Sequence, residues 1–223
     1  MGSSVYVINP NSSQTVTAAI DRAVAPLRSV DGPSIVCLSL AEGPPGIQSQ
    51  RDVDGVIMPM LRKAAELEEG AGAFVIACFS DPGLHALREQ SRRRVLGIAE
   101  CGVLAALTLG QRFGIIAILP TSVPRHLRYL GAMGVMDRFA ADLPIGMGVA
   151  ELSDEARTIG RMVEVGRTLR DVHGADVLVM GCAGMARYRA ALEEAVGVPV
   201  VEPTQAAVAM AVGHVRLAQA QTP

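Results

Sequence analysis

Hydrophobic and polar positions follow two different periods along this chain. Short apolar runs, Val5-Tyr6-Val7-Ile8, Phe74-Val75-Ile76-Ala77, Ile115-Ile116-Ala117-Ile118 and Val177-Leu178-Val179-Met180, have the length and residue types of buried strands. Longer segments of helical period lie between and after them, over 15–24, 53–69, 123–133, 154–173 and 204–219. Strands alternating with helices predict an α/β fold with parallel sheets. Ser153 is the expected N-cap of the fourth helix, with Asp154 and Glu155 at the positive end of its dipole.

The pattern also repeats. The first strand runs into Asn9-Pro10-Asn11-Ser12-Ser13, and the strand near Phe113 runs into Leu119-Pro120-Thr121-Ser122-Val123. Val75-Ile76-Ala77-Cys78 matches Val179-Met180-Gly181-Cys182 at similar separations from the two prolines, 78 − 10 = 68 and 182 − 120 = 62. Further on, Ile98-Ala99-Glu100 pairs with Val200-Val201-Glu202. The repeat predicts two similar lobes, residues 1–110 and 111–203, related by a pseudo-two-fold axis, with helix 204–219 packing back on the first. Ligands of open parallel sheets bind beyond the carboxyl ends of the strands, so facing lobes bring Cys78 and Cys182 to opposite walls of one cleft.

Composition narrows the partners. Half of the 223 residues are apolar but only 3% are aromatic, and the net charge is −2. Such a chain offers neither stacking platforms nor a basic field for nucleic acid, and Arg92-Arg93-Arg94 reads as a solvated surface. Met1-Gly2-Ser3-Ser4 leads straight into a strand with no export signal, and no apolar stretch reaches the ~20 residues of a membrane span, so a soluble cytoplasmic protein is expected. The four cysteines lack C-x-x-C spacing and the four histidines form no ligand cluster, which predicts no metal site. Cys37 and Cys101 read as core residues.

The remaining pair, Cys78 and Cys182, each follows an apolar strand and precedes a turn and a helix. A helix N-terminus at that point would favour the thiolate. Two thiols on opposite faces of a carbon acid suit racemisation, one removing the α-proton while the other returns a proton from the far side. The single lysine, Lys63, stands on a charged helix face beside Glu66, a poor position for a pyridoxal phosphate Schiff base, so a cofactor-independent reaction on a small molecule is expected. Asn11, Ser12, Thr121 and Ser122 are substrate hydrogen-bonding groups or helix caps. Phe79, Ser80, Ala183 and Gly184 flank the two cysteines, Gln48 stands on a loop that covers the cleft, and Glu100 and Glu202 orient cleft groups or sit at helix termini.

V-I-N-P-N-S-S at 7–13, V-I-A-C-F-S-D-P-G-L at 75–84, G-I-A-E at 97–100 and G-C-A-G-M at 181–185 together resemble the aspartate/glutamate/hydantoin racemase superfamily, its hydantoin and allantoin racemase branch above all. The resemblance covers nearly the whole chain. It implies two flavodoxin-like lobes with parallel four-stranded sheets, Cys78 and Cys182 as the acid–base pair, no cofactor and assembly into homo-oligomers. The substrate it implies is a 5-substituted hydantoin or related ureide. An aspartate/glutamate-type amino-acid racemase and a catalytically silent metabolite-binding module are the alternatives, while a decarboxylase of the superfamily is expected to keep only the second cysteine. Three stretches depart from the branch: Ala117-Ile118 replaces adjacent threonines, Val201-Glu202-Pro203-Thr204 replaces I-D-G-V, and Gly46-Ile47-Gln48-Ser49 replaces S-I-E-G.

Overall fold

The computed structural model describes residues 4–220; Met1, Gly2 and Ser3, part of the segment read for an export signal, lie outside that range. The first half comprises β1 (Ser4–Asn9), α1 (Gln14–Val24), β2 (Ile35–Ser39), α2 (Gln50–Gly55), α3 (Ile57–Leu67), β3 (Ala71–Ile76), α4 (Leu84–Gln90), β4 (Arg94–Gly97) and α5 (Ile98–Leu109). The second comprises β5 (Phe113–Ala117), α6 (Val123–Met133), β6 (Phe139–Pro144), α7 (Glu155–Asp171), β7 (Val177–Met180), α8 (Arg189–Val196), β8 (Val200–Val201) and α9 (Pro203–Ala220). They form two four-stranded sheets of identical order, β2-β1-β3-β4 and β6-β5-β7-β8, with every pairing parallel.

The central strands read as unbroken apolar runs because both faces of each sheet are covered. Successive side chains point to opposite faces. Val5, Val7, Ala73 and Val75 of the first sheet therefore share one core with Phe113, Ile115, Val177 and Val179 of the second. Ile8, Phe74 and Ile76 face outward onto Met60 and Ala64 of α3 and Leu84 and Leu87 of α4. Ile116, Leu178 and Met180 face α7 and α8 through Met162, Leu169 and Leu192.

The shared core is filled by α5 and α9, which pack on each other and cross over. Helix α5 leaves the first sheet and lies on β7 and β5, whereas α9 leaves the second and lies on β3, β4 and β1. Gln205 of α9 donates to the Ala23 carbonyl of α1 at 2.8 Å. The two helices approach closely at Gly102, where a Cβ atom would come within 2.8 Å of Pro203 Cβ and 3.4 Å of Val179 Cγ1.

Local chemistry shifts several expected boundaries. The segment 53–69 is two helices, because a capping box between Ser49 and Asp52 starts α2 early and the chain bends at Val56 before α3. Ser153 is not the cap of α7: it ends a short 3₁₀ turn, Val149–Ser153, and Asp154, in extended conformation, accepts the Arg157 N–H at 3.2 Å. Cys37 is only half-buried, since β2 is an edge strand whose Val36 faces solvent. Cys101 is buried in α5, Arg92, Arg93 and Arg94 are exposed, and Lys63 pairs with Glu66. Among the described residues no helix is long and apolar enough to cross a membrane, and no group of three or more His, Cys, Asp or Glu side chains is placed to hold a metal ion.

The close approach at Gly102 yields a direct test. Gly102→Val forces α5 from α9 and should lower stability by about 1–3 kcal/mol, the usual range for an overpacked core. The measurement is the urea midpoint at constant m-value; an unchanged midpoint would show that the helices part without cost.

Candidate active site

In each sheet the chain order reverses at the first strand, β1 or β5, where neighbouring connections leave in opposite directions and open a crevice at the carboxyl edge. The parallel ladders carry one residue past the third strand in both sheets. Ala77 N–H donates to the Ile8 carbonyl at 2.9 Å, and Gly181 N–H donates to the Ile116 carbonyl at 2.9 Å. The next residues are Cys78 and Cys182. Equivalent backbone positions thus deliver the two thiols to one cavity of ≈ 40 Å³, which Asn11, Phe79, Ser80, Ser122, Arg125, His126, Ala183 and Gly184 also line. That volume holds only a few waters, so the space beside the thiols is narrow.

Neither cysteine sits on the first turn of an α-helix. After Cys78 the chain folds back, with the Ser80 and Asp81 N–H groups on the Cys78 carbonyl at 2.8 and 3.0 Å, and α4 does not begin until Leu84. Cys182 caps a 3₁₀ turn, Ala183–Tyr188. Burial therefore outweighs any helix field. It pushes the Cys78 thiol up to about 12, with the charges of Cys182 and Asp81 adding to it, while the Ser80 N–H and the Arg125 guanidinium pull the other way. Burial pushes Cys182 up to about 11, opposed by the Gly184 N–H and reinforced by Glu202. The expected thiolate stabilisation is thus reversed: desolvation, which disfavours the charged form, exceeds what one or two N–H groups return.

The small polar groups divide. Asn11 is buried, and its Oδ1 accepts from Asn9 Nδ2 at 2.9 Å and from Ser13 N–H at 2.9 Å, which leaves its Nδ2 hydrogens as the donors for a ligand. Ser122 lines the cavity and accepts from Arg125 Nη2 at 3.2 Å. Ser13 caps α1. Ser12 belongs to a wider outer groove of ≈ 560 Å³ that shares Val16, Val149 and Gly184 with the cavity. Thr121 is exposed and donates to the Gln48 carbonyl at 3.2 Å, and at this point of the loop Ile47, not Gln48, lines the cavity.

The repeat-matched glutamates part company. Glu202 is buried, caps α9 through the Thr204 and Gln205 N–H groups at 3.1 and 2.6 Å, and adds negative charge near Cys182. Glu100 turns outward to Arg88 at 2.5 Å. Asp81 takes over the cap in the first half. Held at φ 41°, it accepts from the Ala99 and Glu100 N–H groups at 3.0 and 2.9 Å and from the Tyr129 hydroxyl at 2.7 Å. Gly97 leaves room for this, since a Cβ there would overlap the Asp81 carboxyl. Burial still pushes Asp81 up to about 6.

Sequence reading missed Arg125 and His126, at the start of α6. Arg125 is buried and donates from Nη1 to the carbonyls of Thr121 at 2.7 Å and Gln48 at 3.3 Å, and among the described residues no carboxylate pairs with it. His126 is buried against Asp142 at 2.6 Å. The available signal was the repeat: if the loop before α1 reaches the site, so does the first turn of α6.

The thiol environment predicts a pH signature. Alkylation of Cys78 and Cys182 by iodoacetamide, followed peptide by peptide in a mass spectrometer, should accelerate about tenfold per pH unit through pH 9, because only the thiolate reacts. A plateau below pH 8 would contradict the burial effect.

Comparison with known proteins agrees with this architecture. The Asp/Glu/Hydantoin racemase family model matches residues 5–211. A hydantoin racemase of Pseudomonas sp. (strain NS671) is 35% identical over 212 residues, covering 93% of this chain and 84% of its own. Among solved structures, an allantoin racemase from Klebsiella pneumoniae superposes with a TM-score of 0.88 at 30% identity, covering 97% of this chain and 89% of its own. Another, from Pseudomonas fluorescens, gives 0.91 at 25% identity, covering 96% and 91%. With a family match across almost its full length, two sheets of one topology and paired strand-end cysteines, the chain belongs to the Asp/Glu/hydantoin racemase family.

Proposed function

We propose that this protein is a racemase that inverts a carbon acid centre held between Cys78 and Cys182, and that its substrate is a 5-substituted hydantoin or a related ureide. The observation that carries the reading is the pair of thiols on one cavity, delivered by equivalent positions of two sheets. One cysteine acts as thiolate and removes the proton from the ring carbon beside the carbonyl. The electron pair moves into that carbonyl as an enolate, the other thiol donates its proton to the opposite face, and the charge ends on the second sulfur. The opposite enantiomer runs the sequence in reverse. Because burial pushes both thiols up, each thiolate, once formed, is a strong base toward a carbon acid, in either direction of the reaction.

Arg125 is suited to the charge that moves. A buried guanidinium without a carboxylate partner stabilises the Cys78 thiolate and then the enolate oxygen, with the Asn11 amide as a further donor. The lining contains no Asp or Glu to receive an ammonium group, which favours a neutral cyclic ureide over a free amino acid. The names of the hydantoin and allantoin racemases in the comparison support the same substrate class. A cavity of ≈ 40 Å³ is smaller than a five-membered ring, so its walls part to admit one; those walls come from the two lobes we assign, residues 1–110 with 204–219, and residues 111–203.

The test is to incubate each enantiomer of 5-benzylhydantoin, allantoin, aspartate and glutamate in deuterated water, against enzyme-free controls, following optical rotation and deuterium entry together. Hydantoins should racemise with deuterium at C5. Cys78→Ala and Cys182→Ala should each lower kcat for inversion by about 10²–10⁴-fold, with exchange surviving for a different enantiomer in each. Full activity in either variant sinks the two-base mechanism, and no exchange with any substrate leaves a silent binding module. Arg125→Gln should lower kcat about a hundredfold, the scale of losing one preorganised oxyanion donor.

A further inference from the structure

We infer that His126, oriented by Asp142, is the substrate-recognition residue of this site, accepting a hydrogen bond from a ring N–H of the cyclic ureide. The inference rests on the racemase reading above and names what that reading leaves open, namely which group selects the substrate. His126 is 3% exposed and stands on the first turn of α6. Its Nδ1 lies 2.6 Å from Asp142 Oδ2 on β6. Phe79, the residue after Cys78, meets the ring edge-on, with centroids 5.1 Å apart and planes at 83°. Two independent contacts therefore fix both the position and the rotation of the imidazole.

The ring lines the thiol cavity, and with Ser80 and Arg125 it also lines an adjoining opening of ≈ 250 Å³. Its Nε2 is buried and has no hydrogen-bond partner among the described residues. A carboxylate only accepts, so Nδ1 carries a proton toward Asp142, and in the tautomer protonated there alone Nε2 presents its lone pair. A buried acceptor left unpaired is destabilising, and a ligand N–H at this position relieves it.

The complement of donors makes the choice of ligand specific. Arg125 and the Asn11 amide offer hydrogens, which suits the carbonyl oxygens of a ureide. His126 offers the lone pair, which suits its N–H. A cyclic ureide carries both groups on one small ring, whereas a lactone carries only the first.

The test uses probes that differ by one ring group: 5-benzylhydantoin, the 5-benzyl-oxazolidine-2,4-dione in which oxygen replaces the N–H beside C5, and the N3-methyl hydantoin. Wild-type enzyme should prefer the hydantoin about tenfold or more in kcat/KM over whichever analogue lacks the N–H that is read, with most of the difference in KM. In His126→Leu that preference should collapse to within about threefold, and His126→Gln, which keeps an acceptor, should restore part of it. Asp142→Asn can donate to Nδ1 and so move the ring proton to Nε2, which should also abolish the preference while leaving thermal melting near that of the wild type. Ratios between probes cancel their different intrinsic acidities and any shared loss of folded enzyme. A His126→Leu enzyme that keeps the wild-type preference overturns this inference alone. A wild-type enzyme that racemises none of the probes overturns the racemase reading, and this inference with it.

Discussion

The structure depends on one constraint: both faces of both parallel sheets must be buried, and the inner faces are buried by the same pair of helices. Each helix that follows a fourth strand, α5 or α9, lies on the other half's sheet, so neither sheet can complete its inner core without the opposite half. The crossover draws the two carboxyl edges together. Gly102 lets α5 come close to Pro203 of α9 and to Val179 of the second sheet at once. With the edges fixed in this way, two cysteines at equivalent ladder positions have one cavity to enter.

The same enclosure sets the electrostatics. A helix N-terminus gives up N–H groups to a nearby sulfur, but here the turns after Cys78 and Cys182 supply one such group each, from Ser80 and Gly184. Desolvation is the larger effect, and it raises both sulfurs in basicity where a helix terminus would have activated one as a nucleophile. The surroundings are not symmetric. Cys78 has Arg125 near it and Asp81 beneath it, whereas Cys182 has Glu202, and the His126–Asp142 pair exists only in the second half. A near-symmetric backbone thus carries an asymmetric polar lining, as a ring with different groups on its two edges demands.

Much of this was legible along the chain. The central strands announced themselves as apolar runs, and the repeat of strand, proline, polar loop and strand-end cysteine made Cys78 and Cys182 stand out from Cys37 and Cys101. Local hydrogen bonding was harder to read. Ser153 and Asp154 are both good caps, and the choice between them was made by the 3₁₀ turn ahead of α7. Glu100 and Glu202 matched in the repeat, yet Asp81 displaced Glu100 from the helix terminus because the preceding glycine, Gly97, left it space.

The order of strands and helices, the doubling of one unit and the two cysteines at matched places follow from the chain alone, because all three are written in periodicity and spacing. Which polar groups meet the thiols, and how burial biases the charge of the sulfurs, came from the folding of distant segments onto one another. Arg125 and His126 read as ordinary positions of an amphipathic helix, and their role comes from facing Gln48, Phe79 and Cys78 across the cleft. The protonation of the cysteines was likewise set by what encloses them, since burial is a property of the assembled lobes and not of any segment.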